Sequence, residues 1–424
     1  MALIVAVLVL LRFCSRPPQP AAPPPVDAPA GQKTSDRQAE EQALELQRQG
    51  QFAAAEVIFR RILTARTEQL GGEHIDTLAA MNNLANLFHD RGQDSEAEPL
   101  HTACLEARER TLGPDHPHTL ASLNNLGLIL EGKGDFDSAE KLYRRALEPM
   151  QRLSGPEHAD TLSMLNNLAG VLSDKGDYAA AEPLYRKLSA ALQKTLGYDH
   201  PATLAGEGNL ANLLLRKGNA AAAEPIYRRC LEIRQRIQGN EHPETLLALA
   251  NFAACQSELE NHDEAEKLYR RCLAIRLRVL GPDHPQTLNV SHNLVRTLRK
   301  KGALTEAEAA ARQALAEHER VLGPSHPDTC DMMATVAHIL RDQGGLPAAV
   351  ALYERALAGL TDTLGDTHPT TLKVLYEFCL LRQTQRDLPA ARILGARLLA
   401  GARHTLGSTH PDRVKYQKLT ESLR

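Results

Sequence analysis

The sequence predicts an all-α solenoid of about nine helix-turn-helix repeats that ends in a capping helix. Three observations lead to this fold class: a short motif around a histidine returns every 42 residues, the apolar residues between its copies follow a helical period, and one alanine column is unbroken. Eight equal intervals without an insertion indicate supersecondary units that bury their apolar faces by stacking on one another.

The recurring motif reads Leu-Gly-Pro-Asp-His-Pro from Leu112 to Pro117. Pro117 suits the first position of a helix, because its missing N–H would have no intrahelical partner there, and His116 is the predicted N-cap. Gly113 suits a left-handed residue that ends the preceding helix. The motif therefore separates helices, and its histidines are His74, His116, His158, His200, His242, His284, His326, His368 and His410.

Each interval contains two helical patterns. Leu120, Leu123 and Leu126 mark one face of a first helix, and Leu142 and Leu147 belong to the apolar face of a second. A crossing point between two helices requires a small residue. The unbroken column supplies it: Ala55, Ala97, Ala139, Ala181, Ala223, Ala265, Ala307, Ala349 and Ala391.

The composition does not favour a nucleic-acid-binding protein. The formal net charge is −3, so no overall basic field attracts phosphates. The cysteines include no Cys-x-x-Cys pair, and we expect them to be reduced and buried. They are Cys14, Cys104, Cys230, Cys255, Cys272, Cys330 and Cys379.

The N-terminal residues differ from the repeats. Residues 2–11 are uniformly apolar, but a helix needs about 20 residues to span a bilayer, and no Lys or Arg precedes them as in a signal peptide. The predicted organisation is a short apolar segment at 1–16, a proline-rich linker at 17–35, nine repeats at 36–411 and a capping helix at 412–424. We expect a cytoplasmic protein, tethered to a membrane only if residues 2–11 insert.

The phrases at 125–127 and 134–136, followed by Ala139, Tyr143 and the pair 146–147, resemble the tetratricopeptide repeat. The 42-residue period, the Leu-Gly-x-x-His-Pro-x-Thr-Leu linker and the Asn-Asn-Leu-Ala phrase are similar to the subfamily found in kinesin light chains and many bacterial scaffold proteins. Each unit is longer than the usual repeat of about 34 residues, and the unbroken helical pattern before each Leu-Gly predicts a lengthened second helix.

The resemblance implies a right-handed superhelix whose first helices line a concave groove. It also implies an adaptor that binds extended peptides or protein segments, with no cofactor, no metal ligand and no catalytic residue. The long heptad coiled coil that joins kinesin light chains to a motor heavy chain does not occur in this sequence, so the resemblance does not imply a motor-linked role.

The family pattern places inward-facing residues at Asn82 and Asn86 and at their equivalents. An asparagine amide offers two donors and an acceptor, so a ladder of them can pair with the backbone of an extended peptide. One residue along, six asparagines fill one column, where the alternative role is bonding between neighbouring repeats. The candidate asparagines are Asn82, Asn83, Asn86, Asn124, Asn125, Asn166, Asn167, Asn209, Asn212, Asn251 and Asn293.

Four basic residues form a cationic stripe along one predicted first helix: His292, Arg296, Arg299 and Lys300. Arginine can hold a carboxylate in a bidentate grip. The stripe therefore predicts a site for an acidic segment or a C-terminal carboxylate. The alternative is solvated charge on a polar face.

Other classes of function have weaker support. The sequence contains no Gly-x-x-x-x-Gly-Lys phosphate loop, no His-Glu-x-x-His and no Gly-x-Ser-x-Gly motif, so we expect no enzyme. A structural or self-associating scaffold without a peptide groove, and an enzyme with an unrecognised site, stay open as alternatives. Six i,i+4 pairs predict helix stabilisation and no ligand: Glu56–Arg60, Glu140–Arg144, Glu182–Arg186, Glu224–Arg228, Glu266–Arg270 and Glu308–Arg312.

Overall fold

Nine helix pairs and one final helix make up the computed structural model, which describes residues 30–407 and 410–423, with side chains from residue 37. These residues contain no strand, so the predicted all-α repeat array is confirmed. The helices are α1 (Ala30–Arg48), α2 (Phe52–Leu70), α3 (Ile75–Asp90), α4 (Asp94–Leu112), α5 (Pro117–Gly132), α6 (Phe136–Leu153), α7 (Ala159–Asp174), α8 (Tyr178–Leu196), α9 (Pro201–Arg216), α10 (Ala220–Gln238), α11 (Pro243–Glu258), α12 (His262–Val279), α13 (Pro285–Lys300), α14 (Leu304–Leu322), α15 (Pro327–Asp342), α16 (Leu346–Leu364), α17 (Pro369–Thr384), α18 (Leu388–Thr405) and α19 (Pro411–Ser422).

The helices start where the histidine motif predicts. His116 has an extended backbone, and its Nδ1 accepts the N–H of His118 at 3.2 Å. The same bond forms at all nine motif histidines. Each imidazole thereby satisfies one of the N–H groups that a helix start leaves without an intrahelical partner.

The helix ends differ from the prediction. Gly113 has a positive φ of 89°, but its ψ of 164° lies far from the left-handed helical value. This extended conformation is open essentially to glycine alone. The Gly113 N–H still bonds to the Glu109 carbonyl, and the extended ψ then directs the chain away from the helix toward the next histidine cap. Five other motif glycines share the geometry: Gly71, Gly197, Gly239, Gly323 and Gly365.

The helix crossings confirm the alanine column, since all nine alanines are 0% exposed. At one crossing the space is smaller still: a Cβ on Gly127 would lie 2.5 Å from Cε1 of Tyr143. Tyr143 is itself fully buried beside Ala139. At this crossing Gly127 of α5 is small because the ring of Tyr143 from α6 occupies the space.

The second helices are the longer ones. The first helices from α3 to α17 have 16 residues, whereas second helices have 18 or 19. The six predicted Glu–Arg pairs all form along them. Some of the same glutamates also reach the next repeat, as Glu182 does with Lys217 at 2.9 Å. These exposed ion pairs link adjacent repeats and contribute little to the free energy of unfolding.

The predicted boundaries of the array stay a prediction. The described part of helix α1 runs from Ala30, where the description of the chain begins, to Arg48. The apolar segment and most of the predicted linker lie outside the described residues. At the other end α19 begins at Pro411 and buries Tyr416 and Leu419.

The chain divides into two compact units, the N-terminal unit (residues 16–174, helices α1–α7) and the C-terminal unit (residues 175–424, helices α8–α19). Within each unit consecutive helices pack together, and first helices also contact the next first helix, as α3 does α5 and α9 does α11. Comparable contacts between second helices are absent from the described part of each unit. The first helices therefore line the inner side of each stack.

Among the described residues, no helix combines the length and the hydropathy that a membrane span needs.

Candidate functional site

The asparagines of the N-terminal unit are paired across neighbouring first helices. The Nδ2 group of Asn125 donates to Oδ1 of Asn82 at 2.9 Å, and the Nδ2 group of Asn167 donates to Oδ1 of Asn124 at 2.8 Å. Because the oxygens of Asn82 and Asn124 are engaged, the capacity that these two side chains retain is their N–H donors. Both are partly buried on the inner side of the unit.

Other asparagines of this unit are more deeply involved in packing. The Nδ2 group of Asn83 donates to Oε1 of Glu40 at 2.7 Å, and Asn86 is buried and lies 3.5 Å from the Asn125 amide. Asn166 also has a polar partner, as Asn209 of the C-terminal unit does. The bonds of Asn83, Asn125 and Asn167 join adjacent repeats, and a role for these residues in binding stays a prediction.

A cleft opens on the inner side of the C-terminal unit between α9, α11 and α13. It is shallow, and its cavity volume is about 50 Å³. The predicted residues Asn212, Asn251, Asn293, Arg296 and Lys300 all line it. The structure therefore brings together five residues that are spread over three repeats.

Three polar atoms in this cleft have no hydrogen-bond partner: Nδ2 of Asn212, Oδ1 of Asn293 and Nη1 of Arg296. Asn212 and Asn293 are each 4% exposed. Their other amide atoms are engaged, because Asn212 accepts from the Tyr227 hydroxyl and Asn293 donates to Oδ1 of Asn289 at 3.1 Å. An unpaired buried polar group costs about 1–3 kcal/mol. The three atoms have almost no solvent-exposed surface, so a ligand contacts them only when the side chains around them shift.

Two of the four basic residues in the cationic stripe are occupied by carboxylates. Lys300 Nζ lies 2.8 Å from Oε1 of Glu258, and Arg299 Nε lies 2.7 Å from Oδ2 of Asp342. Burial works against the ionised form of Glu258, but the hydrogen bond to Lys300 and the charges of Lys300 and Arg296 together outweigh burial and lower the pKa of that carboxyl. Arg299 and Lys300 therefore form ion pairs with the neighbouring first helices α15 and α11.

The structure corrects the prediction that His292 is part of the cationic stripe. Its ring is buried, and its Nε2 lies 2.7 Å from Oγ1 of Thr335. Burial lowers the pKa of His292 to about 3, so the side chain is neutral at physiological pH. Among the four described residues of the stripe, Arg296 has a buried nitrogen without a hydrogen-bond partner.

A second charged pair lies behind Arg296. Lys373 Nζ contacts Oδ1 of Asp331 at 2.7 Å. Burial lowers the pKa values of Lys373 and Arg296, and the charge of Asp331 opposes this effect in both. Asp331 thus keeps two cations near the cleft, while Nη1 of Arg296 stays without a hydrogen bond.

Sequence reasoning did not identify Asp331, Lys373 or the cleft wall formed by Tyr227 and Tyr269. A signal for the first two was present. They occupy one repeat column with Asn289, in which earlier repeats carry Ala79, Ala121, Ser163, Ala205 and Leu247. Charged residues that replace small or apolar ones in a column indicate a local change of role.

Among the described residues, no group of three or more His, Cys, Asp or Glu side chains is arranged to hold a metal ion. The six described cysteines are buried, and burial raises the pKa values of the Cys230 and Cys255 thiols to about 12. Such thiols are protonated at neutral pH and are poor nucleophiles.

Stacked helix pairs with a polar inner cleft define a helical-repeat protein of the interaction-scaffold class. Tetratricopeptide repeat models match residues 39–110, 95–152, 202–278, 258–316 and 293–362, and a second tetratricopeptide repeat model matches 161–202. The chain belongs to the tetratricopeptide repeat family. The resemblance predicted from residues 125–147 is confirmed.

Solved structures with this fold include kinesin-light-chain-like proteins. The chain is similar to a putative kinesin light chain with nearly identical repeats from Podosopora anserina (26% identity, 48% of this chain and 95% of that chain, TM-score 0.45). It is similar to BtubC (BKLC) from P. vanneervenii (21%, 61% and 95%, TM-score 0.43) and to the apo form of the quorum sensor NprR from B. thuringiensis (12%, 92% and 99%, TM-score 0.56). No curated protein matches the chain.

Proposed function

We propose that this protein is an adaptor that binds extended peptide or protein segments on the inner side of its helix stacks, and that the cleft of the C-terminal unit takes a carboxylate. The observation that carries the proposal is the set of unpaired atoms on Asn212, Asn293 and Arg296. Arg296 can donate to a carboxylate, Asn212 can donate to an acceptor of the same ligand, and Asn293 can accept a backbone N–H.

The N-terminal unit supports the same mode of binding. The pairing of Asn125 and Asn167 with their neighbours fixes the oxygens of Asn82 and Asn124. The N–H donors that remain suit the carbonyl groups of an extended backbone, whatever its side chains are. We infer that this unit contributes affinity and that the cleft around Arg296 contributes selectivity for acidic ligands.

A fluorescent peptide of alternating alanine and glutamate, with a free C-terminal carboxyl group, tests the proposal. Arg296→Met keeps the apolar stem but removes the guanidinium. We expect it to weaken binding about 10- to 100-fold, since a hydrogen bond to a charged group contributes about 1.5–3 kcal/mol. Fluorescence anisotropy at fixed salt measures the affinity, and circular dichroism checks that the variant folds.

The matched control is Arg312→Met, which removes an arginine that pairs with Glu308 on the second helix α14 and is 65% exposed. We expect this variant to bind as the wild type does. Equal affinity of the wild type and Arg296→Met would refute the carboxylate site. If the peptide binds neither the wild type nor the control, the proposal is refuted in favour of a structural or self-associating scaffold without a peptide groove.

The proposal includes no catalytic step. The unpaired atoms of the cleft are hydrogen-bond donors and an acceptor, and its nearest ionised carboxylate, Glu258, is held in the ion pair with Lys300. Nucleic acid is a poor fit, because Arg299 and Lys300 already pair with carboxylates and His292 is neutral. Attachment to a membrane through residues 2–11 stays a prediction for a segment outside the described residues.

A further inference from the structure

The two ends of the C-terminal unit touch. Gly176 lies in the turn before α8, and a Cβ at this position would be 2.7 Å from Cδ2 of His410 and 3.1 Å from Cδ of Pro411. His410 and Pro411 begin α19, the last helix of the same unit. The first turn and the last helix of this unit are therefore in van der Waals contact.

The contact is built on a side chain that also caps a helix. Nδ1 of His410 accepts the N–H of Asp412 at 3.1 Å, which fixes the ring at the start of α19. The Cδ2 edge of the same ring faces Gly176, and His410 is 6% exposed. Only glycine leaves room for this approach, and the φ of +79° at Gly176 also favours glycine.

The position of the contact determines how the unit closes. Gly176 lies at the start of a second helix, whereas His410 lies at the start of a first helix. The starts of first and second helices lie at opposite edges of a repeat. The helix stack therefore coils through one turn between α8 and α19, and the two edges meet where the turn is complete. The cleft between α9, α11 and α13 then lies on the inner side of a closed stack.

We propose that this closure selects partners with a free chain end. A segment enters the closed C-terminal unit end-on and reaches Arg296, whereas an internal loop held at both ends by folded domains must wait until the contact of Gly176 with His410 opens. The inference rests on the proposed function and adds a condition on the partner. Gating of this kind changes the association rate more than the contacts in the bound state.

The chain offers a matched pair of variants to test closure. Gly176 and Gly218 occupy the same turn position with φ values of +79° and +83°, but nothing lies within 4 Å of a Cβ at Gly218. Asparagine tolerates positive φ, so Gly176→Asn and Gly218→Asn share the backbone strain and differ in the contact with His410.

Two probes are compared by stopped-flow fluorescence: the alanine–glutamate peptide with free ends, and the same peptide with a small folded domain fused to each end. We expect the wild type and Gly218→Asn to associate with the blocked probe at least about tenfold more slowly than with the free one. In Gly176→Asn the two rates should become similar.

Amide hydrogen exchange gives a readout that needs no peptide. Exchange across residues 411–422 should be faster in Gly176→Asn than in Gly218→Asn, because only the first loses the contact. Equal exchange in the two variants, or equal rates for both probes in the wild type, would overturn the closure while leaving the Arg296 site intact. Failure of the free probe to bind the wild type would instead overturn the proposed function.

Discussion

Glu260 and Arg386 are the two non-glycine residues with positive φ among the described residues, at 62° and 61°. Both lie in the turn between the helices of a pair, where other repeats carry glycine. The glycines of this column are Gly50, Gly92, Gly134, Gly176, Gly218, Gly302 and Gly344. A side chain with Cβ in the left-handed region costs roughly 1–2 kcal/mol per residue.

Glu260→Gly should therefore raise the free energy of unfolding by about 1 kcal/mol, the relief of strain being partly offset by the greater freedom of glycine in the unfolded chain. Urea unfolding followed by circular dichroism measures it. The reverse change Gly302→Glu, at the same turn position two helices later, should lower stability by a similar amount. A destabilised Glu260→Gly would show that the Glu260 side chain contributes more than its strain costs.

The role of a residue could be predicted where every residue in its repeat column has the same role. The histidine caps and the buried alanines follow from spacing and from helix geometry alone. The partners of Arg299 and Lys300 could not be predicted in this way. Asp342 and Glu258 belong to neighbouring repeats, and their distance depends on how adjacent first helices are offset.

At the scale of helices, buried histidines connect stability to pH. Burial lowers the pKa values of five histidines, which are His118, His292, His318, His338 and His368. The unfolded chain then binds protons at a higher pH than the folded chain does. Stability from these groups is complete above about pH 6.5, the unfolded value, and is lost as pH falls toward the folded values.

His368 offers a specific test, because burial is the cause that lowers its pKa and its Nδ1 caps α17. His368→Asn supplies a different N-cap that does not titrate. Below pH 6 we expect the free energy of unfolding to fall less steeply with pH, by up to about 1.4 kcal/mol per pH unit. Denaturant unfolding from pH 7 to pH 5 measures the slope.

The control is His404→Asn, since His404 is exposed near the end of α18. This variant should keep the slope of the wild type. A slope unchanged in His368→Asn would show that His368 takes up protons equally in the folded and unfolded chains.

The extent of each helix could be predicted to within a few residues because the motif glycine and histidine recur in every repeat, and proline follows the histidine in most of them. The conformation of Gly113 was predicted only in the sign of φ. Its ψ depends on the direction that the chain must take to reach His116. The conformational preference of glycine alone does not determine that direction.

At the scale of the whole molecule, nine repeats follow from a period that the sequence displays without exception. The cleft around Arg296 was predicted in part, since its residues fall in columns that face inward. The closure of the C-terminal unit was not foreseen. Contact between Gly176 and His410 depends on the small rotation from one repeat to the next, summed over several repeats, and no local pattern reports it.

The central claim is that partners bind on the inner side of the stack. Hydrogen exchange with and without the alanine–glutamate peptide tests it most directly. We predict that the peptide slows exchange in the first helices α9, α11 and α13, while the second helices α10 and α12 exchange as before outside the cleft wall at Tyr227 and Tyr269. Protection confined to the outward faces of α10, α12 and α14, at a peptide concentration that saturates binding, would contradict the account.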